Sequence, residues 1–111
     1  MKENKPKLAM NLQTFIDSLK KAKPPKEASQ LLVALWHEAK GDWDRAHDMV
    51  NDIGHPDADW IHAYLHRKEG DQWNAGYWYR RAGKNMPDVS LEMEWKSISE
   101  ELLARQIGRD S

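Results

Sequence analysis

Six residues recur at a fixed step of 29 positions along this chain, and few folds accommodate such a recurrence. Ala34 pairs with Ala63, His37 with His66, Gly41 with Gly70, Asp42 with Asp71, Ala46 with Ala75 and Gly54 with Gly83. The residue types suit the places where a pair of packed helices has least freedom. Alanine lets helices approach, glycine lets the chain leave a helix, and aspartate caps the helix that follows. The recurrence therefore predicts two copies of one helical hairpin.

Apolar spacing fills in the helices. Leu31, Leu32, Ala34, Leu35 and Trp36 lie in a stretch without Gly or Pro, which predicts a helix from about Glu27 to Lys40 that Gly41 stops. Asp42 caps a second helix whose stripe is Trp43, Ala46, His47, Val50 and Ile53, ending at Gly54. His55-Pro56-Asp57 opens a third, with Trp60, Ile61, Tyr64 and Leu65 on one face, and Gly70 ends it. Asp71 caps a fourth, with Ala75, Trp78, Tyr79 and Ala82 running to Gly83. Pro87-Asp88 introduces a last helix with the stripe Leu91, Trp95, Ile98 and Leu102, fraying near Gly108. Before the repeat, Leu8, Leu12, Phe15, Ile16 and Leu19 mark a short amphipathic helix ended by Pro24-Pro25. The expected fold is one all-α domain of six helices and no strand. It divides into a basic N-terminal helix (1–26), hairpin 1 (27–54), hairpin 2 (55–87) and a C-terminal helix (88–107). Because two stacked hairpins leave apolar surface at both ends, Phe15 and Ile16 are expected to cover the first and Trp95 and Ile98 the second. A homodimer through one end is the competing solution.

Gly41-Asp42-Trp43-Asp44-Arg45-Ala46 resembles the inter-helix turn of a tetratricopeptide repeat, and Gly70-Asp71 with Ala75, Tyr79, Ala82 and Pro87 matches that family's second helix and terminal proline by spacing. Trp78-Tyr79-Arg80-Arg81-Ala82 is similarly like the second helix of Sel1-like repeats. The likeness covers residues 28–87, at a step of 29 where a tetratricopeptide has about 34, and implies a scaffold without naming a ligand. The whole chain also resembles a group of small bacterial proteins that share the Leu35-Trp36-His37-Glu38-Ala39-Lys40-Gly41-Asp42-Trp43 and His62-Ala63-Tyr64-Leu65-His66-Arg67 wording.

Composition narrows the activity. With no Cys, disulfides, thiolate zinc sites and cysteine nucleophiles are excluded. The longest apolar run, Leu31–Trp36, is far short of the roughly 20 residues of a membrane span, so a cytoplasmic protein without membrane contact is expected. Residues 1–26 hold seven Lys against Glu3 and Asp17, a balance of +5 in a chain of net charge -1. That patch raises nucleic-acid binding as an idea, and the acidic remainder argues against it.

Two constellations stand out. Six Trp and three Tyr are more rings than a core this small is expected to bury, so Trp60, Tyr64 and Arg67, three and four apart, are expected to form an exposed aromatic and cationic platform for a protein or peptide. His62 and His66, flanked on the same face by Asp59 and Glu69, could ligate a metal, with His37, the repeat equivalent of His66, supplying a further ligand. No nucleophile elbow, phosphate-cradling glycine loop or His-Glu-x2-His pattern is present, so no catalytic residue is assigned and no cofactor is expected. The sequence reading is thus a non-enzymatic helical-repeat module for protein or peptide interaction. Its alternative is a small-molecule or metal-binding protein, possibly an enzyme, using the His37, His62 and His66 face.

Overall fold

A computed structural model describes residues 10–110, with side chains described as far as residue 106. Six α-helices follow in order: α1 (Leu12–Asp17), continued by a 3-10 turn (Ser18–Lys20), then α2 (Gln30–Ala39), α3 (Trp43–Val50), α4 (Pro56–Glu69), α5 (Gln72–Ala82) and α6 (Leu91–Asp110). No strand occurs among the described residues.

The recurrence is visible in the backbone. Gly41 and Gly70 take φ of 95° and 91°, and each donates its N–H to the carbonyl three residues back, Glu38 and Arg67. The next residue repeats the match: Asp42 N–H reaches the His37 carbonyl and Asp71 N–H the His66 carbonyl, both at 2.9 Å. The aspartate carboxylates then cap α3 and α5, accepting from Arg45 N–H and Asn74 N–H at 3.2 Å each. Glycine is required here because a side chain at such φ is strained even where space is open. Gly70→Ala and Gly41→Ala should each lose about 1–2 kcal/mol of stability in urea unfolding, with Gly70→Asn losing less.

Helix ends depart from the sequence expectation where a side chain caps earlier or later. α2 begins at Gln30 because Ser29 Oγ accepts from Leu32 N–H at 3.3 Å. α6 begins at Leu91, not at Asp88, because Ser90 Oγ accepts from Met93 N–H at 3.0 Å. α3 stops at Val50, and the N-terminal helix stops at Asp17 and its 3-10 turn at Lys20, well before the proline pair. Leu8 lies outside the described residues.

α4 is the centre. It packs against α2, α3, α5 and α6, and every residue from Ala58 to His66 is buried. α6 lies across both halves of the repeat, touching α2 and α4, and Trp95 donates its indole N–H to the Leu35 carbonyl at 3.1 Å. Phe15 stacks on Trp95 with ring centres 5.7 Å apart, so α6 holds α1, while α2 holds the 3-10 turn that follows it. The α2 contribution is Trp36, whose indole N–H points at Ser18 Oγ, 3.1 Å away. The C-terminal helix packs on α4, as expected, and Trp95 also reaches back to α2. No described helix is long and apolar enough to cross a membrane.

Candidate metal centre

Three histidines meet between α3 and α4. His62 and His66 lie one turn apart on α4, which puts both rings on one face. His47 of α3 comes in from the other side. Ring centres are 4.6 Å apart for His47 and His62, 5.0 Å for His62 and His66, and 5.4 Å for His47 and His66. One ring nitrogen from each lies within 4.8 Å of the others. His62 and His66 are buried and His47 is half-buried.

Two indoles wall the cluster. Trp78 of α5 stacks on His62 at 3.8 Å and 10°, and Trp43 of α3 stacks on His47 at 5.0 Å and 10°. Trp43 is itself fixed, because its indole N–H donates to the Leu65 carbonyl at 2.9 Å. Outside the walls, Glu69 Oε2 lies 2.7 Å from His66 Nδ1. A carboxylate only accepts, so this contact places the proton on Nδ1 and the lone pair on Nε2. Asn74 Nδ2, 3.4 Å from that Nε2, is the one weak donor facing it.

His62 has the least supported ring. Its Nδ1 is buried without a hydrogen-bond partner. Its pKa is pushed down to about 4, first by burial and then by repulsion from His47, His66 and Arg81. At neutral pH His62 is therefore an uncharged imidazole with a lone pair, suited to accept a cation.

The histidine set differs from the expected one by a single member. His37 does not join His62 and His66; its ring stands edge-on to Trp36 at 5.2 Å, and burial, followed by Arg45, lowers its pKa. His66 faces His47 on α3, whereas His37 lies on α2 against Trp36. The signal for His47 was present in the α3 stripe, where it alternates with Ala46 and Val50. Asp59 is also diverted, lying 3.7 Å from Arg81 Nε.

The expected Trp60, Tyr64 and Arg67 platform is corrected more thoroughly. Trp60 is 7% exposed and Tyr64 2%. Both turn inward to buried carboxylates that sequence reasoning missed. Trp60 donates its indole N–H to Glu94 Oε2 at 3.2 Å, and Arg67 Nη1 donates to Glu94 Oε1 at 2.8 Å. Tyr79 OH completes that set at 2.6 Å from Glu94 Oε2. Tyr64 OH donates to Glu38 Oε1 at 3.4 Å, and Lys68 pairs with the other Glu38 oxygen. Burial, together with these carboxylates, raises the pKa of both tyrosines. These residues build the interior.

No protein-family model matches the chain, and neither a curated protein nor a solved structure matches it.

Proposed function

We propose that the protein is a non-enzymatic binding module made of two stacked helical hairpins of the tetratricopeptide-like kind, and that its binding site is the imidazole pocket between them. One observation carries this reading: His62, 2% exposed, keeps an unpartnered Nδ1 in a ring that lies beside two further imidazoles. A buried polar atom left without a partner costs about 1–3 kcal/mol. Such a cost at the junction of two elements is the mark of a site kept for binding rather than for stability.

Substitution of the ring tests this without knowing the ligand. In chelator-containing buffer, His62→Leu or His62→Phe should raise stability by about 1 kcal/mol or more, moving Tm up by roughly 4–8 °C. The two variants bracket the volume of the pocket, since Phe keeps the flat stack on Trp78 and Leu avoids overpacking. Loss of stability in both would make the imidazole a structural element and end the reading.

A protein or peptide partner is the second reading, and one observation favours it. Trp73 is 82% exposed and Tyr77 41%, one turn apart on α5, with the Arg81 guanidinium 5.9 Å from the Tyr77 ring centre. These rings, not Trp60 and Tyr64, are the ones open to a partner.

A further inference from the structure

We propose that the pocket binds one divalent late first-row transition-metal ion, zinc foremost, through one ring nitrogen each of His47, His62 and His66, with Glu69 as the outer partner of His66. This rests on the reading of the pocket as a binding site and names what it binds.

Donor chemistry narrows the ion first. All three inward-facing groups are imidazoles, which suit zinc, copper, nickel and iron and do not suit magnesium or calcium, whose ligands are oxygens. The spacing fits. A tetrahedral ion with metal–nitrogen bonds of about 2.0–2.1 Å holds its nitrogens roughly 3.3 Å apart, so a set already within 4.8 Å closes by small rotations about side-chain bonds. Those rotations are local, because His62 and His66 share one helix and only His47 comes from another.

Two independent observations point to a ligand. The first is the orphan nitrogen on His62, buried and aimed at no protein acceptor or donor. The second is the Glu69 contact at 2.7 Å, which holds His66 in the tautomer whose Nε2 can coordinate. A carboxylate behind a ligating imidazole raises its basicity and fixes its plane. Trp43 and Trp78 exclude water from two sides, which strengthens any charge interaction inside. Glu69 and Asp71, both exposed and beside His66, set two carboxylates against the one guanidinium, Arg81, that lies over Trp78. Three protein ligands leave a fourth position for water or a small anion.

The ion would join α3 to α4, so binding and stability are linked. The test uses the untagged 111-residue chain, titrated calorimetrically with zinc chloride against a metal-free baseline. One zinc per chain with micromolar or tighter affinity is expected, and zinc at about 100-fold over its dissociation constant should raise Tm by roughly 10 °C or more. His62→Leu and His47→Gln should each abolish this. Glu69→Gln should keep the 1:1 stoichiometry and weaken affinity by about 10–100-fold, an effect that a merely structural Glu69 would not produce. His37→Ala should change nothing, and magnesium should not bind. Cobalt substitution adds a folding-independent readout, the intense visible absorption of a four-coordinate site.

Zinc affinity that survives His62→Leu, or that depends on His37, overturns the proposal. So does an absence of tight binding by zinc, copper, nickel or cobalt. If His62→Leu is more stable than the parent while no metal binds, the pocket remains a binding site and the metal assignment alone falls.

Discussion

Glu94→Ala should lose about 3–5 kcal/mol of folding free energy, the largest effect of any single substitution outside the apolar core. The carboxylate is 1% exposed and is the sole acceptor for the Trp60 indole and the Tyr79 hydroxyl. It is also the charge partner of Arg67, whose side chain is 17% exposed. Removing it strands three donors, one of them a guanidinium held near its place by the Val89 carbonyl. Since a domain of this size has only about 5–15 kcal/mol in total, urea unfolding should show a variant close to its limit. Tyr79→Phe, which removes one neutral donor, should cost about 1–2 kcal/mol. A Glu94→Ala loss below 1 kcal/mol would mean that Arg67 finds water as readily as it finds the carboxylate.

Acid should destabilise the protein through His62 by an amount of the order of 3 kcal/mol. The folded ring titrates at about 4 and the unfolded ring at 6.5, so between those values the unfolded chain takes up a proton that the folded chain refuses. Stability from this group is complete above pH 6.5, falls as acid is added, and is gone below pH 4. Burial lowers His37 in the same direction, and paired carboxylates add their own losses in acid. The share of His62 is isolated as the difference between the parent and His62→Leu, both unfolded by urea from pH 7.5 to 4 with chelator present. Parallel pH profiles for the two proteins would show that the His62 ring is free to protonate in the fold.

Much of the backbone was legible in the chain because punctuation is local. A glycine at positive φ followed by a capping aspartate states its own geometry, so the turns at Gly41 and Gly70 are foreseen and are copies of one another. Burial is not local, and there the reading failed. α4 carries Asp59, His62, His66 and Arg67, which gives it the look of a helix with a solvated face, yet α2, α3, α5 and α6 surround it. Its polar groups are absorbed by partners on other helices: Glu94 for Trp60 and Arg67, Glu38 for Tyr64, Arg81 for Asp59. Each partner lies 22 or more residues away in the chain. No spacing rule within a helix can announce such pairs. Trp60, Tyr64 and Tyr79 fit the core because Glu94 and Glu38 are buried with them, while Trp73 and Tyr77 stay exposed, as an excess of rings implied.

The histidine site was half legible for the same reason. His62 and His66 are four apart and declare a shared face, whereas the third ring comes from another helix, α3, which no spacing within α4 announces. The repeat arithmetic picked the equivalent residue, His37; the packing picked the neighbouring one, His47. α4 meets both α2 and α3, and the ring that reaches His62 and His66 comes from α3.

Nitrogen-15 spectra of the histidine side chains would test the three-imidazole site most directly. The chain has five histidines, and the account predicts that one equivalent of zinc fixes the tautomers and shifts the ring signals of His47, His62 and His66 together. His37 and His55 should keep theirs. Zinc-induced changes at His37 or His55, or three unchanged rings at the α3–α4 junction, would contradict it.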